Sequence, residues 1–370
     1  MNRRAVRSWH VRGTCRGENG YALLELLIAA AISGALLGVL FQFAVSAQAS
    51  VGVQGDVADL QQRFRVVVQS VGHDLLLAGA GPSRGASGGS LARVFAPLVP
   101  ARLGLIGADP ELSFQEDRLT IVYVPDTRAQ TKVAVGMIDG ASPVAIDANA
   151  PGCPPGQACD FAEGDRAVIF EPDGPGSAHE LFTIAAVDPA WSTLTATAPL
   201  SRPYPAGSRV AQIVQRTYHF DRAGKRLMVY DGYRSDVPLL DHVVEVRFAY
   251  FVDPRPESVA ASAPGIANCA YAGSPPLPLL ANLGGAAPKL LRAAQLTDGP
   301  ICGEAPNRFD ADLLRIRRVL VSLRLEAESA EFRGTGGGFA TAGLSRSSTK
   351  YVPDLHATID VAPRNMVARW

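Results

Sequence analysis

The stretch Leu26–Val45 is twenty residues long, carries no charge and includes only Ser33 and Gln42 as polar side chains of any size. As a helix rising 1.5 Å per residue it would measure about 30 Å, the thickness of a bilayer's hydrocarbon core. One acid, Glu25, stands at its start, inside an apolar run that begins at Tyr21. A charged side chain in hydrocarbon costs about 3 kcal/mol even on lenient scales, so this carboxylate calls for a role. Residues 1–20 hold Arg3, Arg4, Arg7, Arg12 and Arg16 against the single acid Glu18, and they end at Gly20. A basic flank of this kind stays on the cytoplasmic side, which sends the C-terminal bulk across the membrane. Gly34 and Gly38 form a G-x-x-x-G pair. Such a pair lets helices approach closely, or it simply reflects an Ala/Gly-rich span.

Three explanations of this N-terminus compete. A cleaved signal peptide has Ala47-Gln48-Ala49 as its small-x-small site, but its apolar core is normally shorter, about 7 to 15 residues. A plain signal anchor accounts for length and orientation and leaves Glu25 and Gly20 unexplained. The combination of basic leader, Gly20, Tyr21 and Glu25 resembles a type IV prepilin. The resemblance implies cleavage between Gly20 and Tyr21 by a membrane prepilin peptidase and methylation of the new terminus. It also implies an assembly role for Glu25, as a counter-charge for the terminal ammonium of a neighbouring subunit. Paired charges tolerate burial where single ones do not. Tyr21 stands where that family usually has Phe, and the proline common in major pilins about twenty residues into the helix is missing.

Beyond Ser46–Ser50, apolar residues recur at Val53, Val57, Leu60, Phe64, Val67, Val71 and Leu75. Spacings of three and four put them on one helical face. The pattern ends at Ala78-Gly79-Ala80-Gly81-Pro82, a helix stop. One helix from Tyr21 to about Leu77 is expected, with a break near Gly52 and Gly55. A free coiled coil is disfavoured by the short run. The phrase His73-Asp74-Leu75-Leu76-Leu77-Ala78-Gly79 resembles the end of the first helix in PilW-type minor pilins. Asp117-Arg118 leading to Tyr123, Tyr218-His219-Phe220-Asp221, the Tyr250/Asp253 spacing and Arg364-Asn365 resemble later parts of that family.

The rest of the chain reads as β-rich, and 36 glycines and 27 prolines imply many turns. Strands are expected at 118–124, 132–138, 166–170, 181–187, 209–220, 226–230, 243–252, 316–326 and 355–361. Asp221-Arg222-Ala223-Gly224 makes a hairpin turn. The fold class is α+β: a long N-terminal helix, transmembrane then amphipathic, packed on a β-rich periplasmic domain with long loops. The divisions are a leader (1–20), a transmembrane helix (21–45), an amphipathic helix (46–80) and a body (81–370). The body has a Pro/Ala/Gly-rich insertion at about 254–310 and a flexible loop at 334–349.

Of five cysteines, Cys15 lies in the leader. Cys153, Cys159, Cys269 and Cys302 form two local groups and are candidates for two disulfides in an oxidising compartment. Free thiols and zinc are the alternatives, although the spacings do not match structural zinc knuckles. Zero formal net charge gives no reason to expect nucleic acid as a partner. No histidine sits in a His-Glu-x-x-His or Gly-x-Ser-x-Gly context, and the Gly334–Gly338 run lacks the Gly-Lys-Ser/Thr ending of a phosphate-binding loop. His356 near Asp354 and Asp360 fits an exposed, alternating strand better than a metal site. Neither enzyme chemistry nor a cofactor is expected.

The resemblance implies a minor pilin, with prepilin peptidase, other minor and major pilins and inner-membrane lipid as partners. Its location would be the inner membrane, single-pass with a periplasmic C-terminal domain, and the pilus after assembly. A J-type pseudopilin of type II secretion and a membrane-anchored adhesin are the alternatives.

Overall fold

The computed structural model describes residues 23–81, 96–110, 113–126, 129–171, 179–254, 280–296, 313–345 and 351–367. Gly20, Tyr21, Cys269 and Cys302 lie outside the described residues. The chain forms two compact units, Met1–Gly55 and Asp56–Trp370. A single helix, α1, is assigned over Leu23–Leu77. It runs through Gly52 and Gly55, where the sequence pattern suggests a break. A helical glycine costs about 1 kcal/mol relative to alanine, which is too little to stop a long helix.

From Asp56 onward, α1 buries Leu60, Val67, Val71, Leu75 and Ala78, while Val57 near the start of the stripe is more than one-third exposed. Gly79 ends the helix with φ +78°. A side chain there would also crowd Pro97 and Met366. The Gly79 N–H donates to Val122 O and the Val124 N–H to Ala80 O, so the chain leaves the helix alongside a strand. Asn365, in the short helix α2 (Arg364–Val367), donates its side-chain amide to Leu77 O at 3.3 Å. This satisfies one of the carbonyls that every helix C-terminus leaves open.

Among the described residues, fifteen strands follow α1, in three groups. The first sheet has the order β1 (Leu98–Val99), β2 (Arg118–Tyr123), β9 (Val214–Asp221), β10 (Arg226–Tyr230), β11 (Asp236–Leu240). Residues 119–123 of β2 are buried without alternation, as expected of a strand covered on both faces. The second sheet has the order β13 (Lys289–Arg292), β12 (Val243–Val252), β14 (Ile316–Leu325), β15 (Leu355–Val361). Here alternation is clear: Val246, Phe248 and Tyr250 oppose Leu323, Val321 and Val319 on the buried face.

The third group is a closed antiparallel barrel inserted between β2 and β9. Its strands are β3 (Gln130–Val135), β4 (Val144–Ile146), β5 (Arg166–Phe170), β6 (His179–Asp188), β7 (Thr193–Ala196) and β8 (Arg209–Gln212), in the order β3-β4-β7-β6-β5-β8. Because Tyr123 pairs with Val214, the chain leaves and re-enters the first sheet at neighbouring points. Strand β6 pairs with β5 through Thr183 and with β7 from Ile184 onward, with a register shift in the β7 ladder between Ile184 and Ala186. Such a shift bends a strand from one side of a barrel to the other. Closure leaves no unpaired edge. The interior is filled by Val133, Ile146, Phe161, Ile169, Phe182, Ile184 and Leu194.

Three expectations change. The run 209–220 is two strands, β8 in the barrel and β9 in the sheet. The stretch about 254–310 contributes β13, which pairs along β12 from Ala249 to Val252. The loop from residue 334 is tied down: Gly343 N–H donates to Gly334 O, Leu344 to Ala330 O and Ser345 to Arg333 O.

Cys153 and Cys159 are disulfide-bonded between β4 and β5, and Cys159 lies in the barrel core. Closing so short a loop contributes roughly 2 kcal/mol in the chain-entropy account. Replacing both cysteines by serine should lower the barrel's unfolding free energy by about that amount. Denaturant titration of the variant and the oxidised parent measures it, and superimposable midpoints would contradict the assignment.

Candidate functional site

In the unit Met1–Gly55, the apolar side chains of α1 from Leu23 to Val45 are exposed along their whole length, including Leu27, Leu37, Phe41 and Phe43. Fully burying one such side chain is worth about 1.5–3 kcal/mol. Summed over this segment, that exceeds the usual stability of a folded domain, about 5–15 kcal/mol. The segment therefore demands an apolar environment, and it is long and apolar enough to cross a membrane. Glu25 sits in the first turn of α1, where a negative charge suits the helix dipole. Nothing described lies within 4 Å of where a side chain would begin at Gly34 or Gly38. The close approach that these glycines allow is thus not used among the described residues.

In the other unit the most distinctive polar group is Asp74, which is fully buried on the apolar face of α1. Tyr218 Oη donates to its Oδ2 at 2.7 Å and Tyr123 Oη to its Oδ1 at 3.0 Å. Arg216 Nη1 reaches both oxygens at 3.2 Å, and Ser70 Oγ lies 3.0 Å from Tyr218 Oη. The register Leu119↔Tyr218 and Tyr123↔Val214 puts Tyr123, Arg216 and Tyr218 on one face of the first sheet, toward the helix. An acid in a helix's last turn opposes the dipole by about 0.3–1 kcal/mol. The two phenols outweigh that cost, because hydrogen bonds to charged groups contribute about 1.5–3 kcal/mol each. The arginine adds less, since its side chain is 45% exposed and solvent screens the pair. Burial, then the adjacent Asp74 charge, pushes the Tyr123 phenol up to about 12. The Tyr218 phenol is raised for the same reasons.

The residues singled out by sequence fall in different units. Glu25 belongs to the membrane-length segment, and Cys153 and Cys159 to the barrel. Asp74, Tyr123 and Tyr218 come together, although the sequence pattern assigned no role to any of them. A signal was present, because Val71, Asp74, Leu75 and Ala78 follow the i, i+3, i+4, i+7 spacing that puts Asp74 on the buried stripe. Asp354 is not on an exposed face: its carboxylate is buried, accepting from Arg324 Nε at 2.8 Å and from the Ala340 N–H at 2.6 Å. His356 points outward from β15. Among the described residues no group of three or more His, Cys, Asp or Glu side chains is placed to hold a metal ion. No protein-family model matches the chain, and no curated protein matches it either.

Asp74→Ala would leave two buried phenols and a guanidinium without their acceptor, and it should cost about 3 kcal/mol of unfolding free energy. Tyr218→Phe should cost about 1–2 kcal/mol, and the two losses should not add, as a double-mutant cycle would show. The raised Tyr123 pKa means that the folded state favours the neutral phenol. Its contribution is therefore complete below the unfolded value near 10 and is lost as pH rises from there through about 12. Alkaline unfolding followed at 295 nm and by circular dichroism should show stability falling across that window. In Tyr123→Phe the fall should be shallower.

Proposed function

We propose that this protein is a minor pilin of the PilW type, processed by prepilin peptidase and incorporated into a type IV pilus to prime or cap its assembly. The observation that carries the reading is the wholly exposed apolar helix with a single acid, Glu25, in its first turn. An anchor alone needs the apolar residues but not the acid. Subunit stacking explains both. Before assembly, lipid covers the segment; afterwards the corresponding segments of neighbouring subunits replace lipid.

Cleavage after Gly20 would start the mature chain at Tyr21, about one helical turn before Glu25. In a stack, the carboxylate of one subunit neutralises the terminal ammonium of the next. The apolar surroundings strengthen that attraction and penalise any register that leaves either charge alone. The β-rich unit then stays outside the filament core, facing the periplasm before export and available to partners. Gly34 and Gly38 supply flat helix surface where such segments cross.

Mass spectrometry of the protein from its native envelope should find a mature chain that begins at N-methylated Tyr21. A terminus at Ser50, or an intact Met1, would sink the proposal. Glu25→Ala should be cleaved normally yet enter sheared pili at a small fraction of the parent's level. Undiminished incorporation would remove the proposed role of the carboxylate. A deletion strain should lose piliation, whereas a strain that keeps its pili and fails in protein secretion would point to the J-type pseudopilin.

A further inference from the structure

The connection between β4 and β5 crosses one end of the barrel. In the closed order β3-β4-β7-β6-β5-β8 these two strands lie three places apart in a ring of six, on opposite sides. Three antiparallel steps separate them, so β4 ends and β5 begins at the same mouth. Between Ile146 and Arg166 the chain sends Ala158, Cys159 and Phe161 into the barrel core, while Gln157, Asp160 and Ala162 stay exposed. The connection therefore plugs the mouth that it spans.

Among the described residues, no strand holds this plug by hydrogen bonds. Those of residues 148–163 stay within 147–165: Cys153 N–H donates to Ala150 O, Cys159 N–H to Gln157 O and Phe161 N–H to Ala158 O, and Ala162 N–H to the Asp165 carboxylate. Only the flanks are fastened, Asp147 N–H to Lys132 O in β3 and Gly164 N–H to Ile184 O in β6. The turn that aims Phe161 inward is unusual. Cys159 and Asp160 are consecutive non-glycine residues in the left-handed region, at φ +53° and +63°. Such conformations persist only where the surroundings enforce them. The constraint at hand is the Cys153–Cys159 disulfide, which closes the chain just ahead of that turn.

We infer that residues 148–163 form a redox-latched lid on the barrel, and that reducing Cys153–Cys159 shifts it toward an open form that exposes the apolar interior. Cys153 is partly exposed and Cys159 is buried, so the thiolate of an external dithiol attacks Cys153 Sγ. The S–S bond breaks, and Cys159 leaves as a thiolate that takes up a proton. The second sulfur of the dithiol then displaces Cys153. The dithiol ends as a disulfide, having given up two electrons, and both cysteines end as thiols. Cys159 and Asp160 are then free to return to ordinary backbone angles, which turns Phe161 away from the core. Apolar burial of Ala158, Cys159 and Phe161 opposes opening, so the disulfide sets how often the lid lifts. The lid goes beyond the pilin reading and stands or falls apart from it.

Limited digestion of the full chain in detergent micelles by subtilisin, a protease without disulfides, tests the lid, with dithiothreitol as the reductant. Initial cutting at Phe161 should quicken on reduction, and its gain should exceed that at Phe182 in β6 by about tenfold or more. Comparing the two sites separates local opening from global unfolding, which exposes both alike. Cys153→Ser should reproduce the fast cut without reductant, which assigns the effect to this pair and not to another cysteine. If that variant does not fold, re-oxidising the reduced parent carries the test and should restore resistance at Phe161. Equal gains at both sites, unchanged cutting at Phe161 after reduction, or a folded Cys153→Ser as resistant as the oxidised parent would overturn the lid.

Discussion

The body of this protein is organised around a carboxylate that has no access to water. Asp74 faces the first sheet from the last turn of α1, where the helix dipole disfavours it and where an apolar residue would fit the stripe better. It persists because β2 and β9 each bring a tyrosine hydroxyl to it, at 3.0 and 2.7 Å. Apolar packing of Val67, Val71 and Leu75 presses the helix onto the sheet without choosing its position along the axis. Hydrogen bonds between three named side chains do choose it, because a slip of one residue would strand a charge and two hydroxyls in the core. The Gly79 turn, the strand-like exit beside β2 and the Asn365 contact all follow from that register.

One helix sequence therefore meets two opposite solvent conditions. Residues 23–45 are apolar on every face, and the later part of α1 is apolar on one. The first pattern requires an apolar surrounding, and the second requires a single partner surface. Glu25 and Asp74 are acids that break these two patterns, and their positions differ accordingly. Asp74 finds its donors within the chain. In the proposed filament Glu25 would meet its counter-charge on a neighbouring subunit, so the same physical rule, that an acid in apolar surroundings is retained with a partner, points inward at one site and outward at the other.

The strands that were legible were those with an internal pattern: β5, β10, β12 and β15 have the expected ends, and β2 and β14 differ by one residue at their C-terminal ends. The missed ones lacked the means to show themselves. Strands β1, β4 and β7 are two to four residues long, β11 contains Pro238, and β13 lies within a Pro/Ala/Gly-rich stretch. Local propensity cannot detect such segments, because pairing with longer neighbours is what makes them strands. The barrel was illegible for a related reason. Its closure rests on β3 meeting β8 across some eighty residues, Thr131↔Val210 among the pairs, and no local pattern reports a contact of that range.

Period and composition decided the membrane-length helix, the amphipathic stripe, the stop at Gly79 and the β character of the body, because each is a property of neighbouring residues. The unusual placement of Glu25 was visible for the same reason, as was the local grouping of Cys153 with Cys159. Tertiary structure alone decided that Asp74 would meet Tyr123 and Tyr218, and that the barrel would interrupt the first sheet. It also brought Arg63, Lys225, Glu326 and Arg333 from three separate segments around one cleft. Burial turns ordinary polar residues into costly or useful ones, and burial depends on which distant segments arrive together.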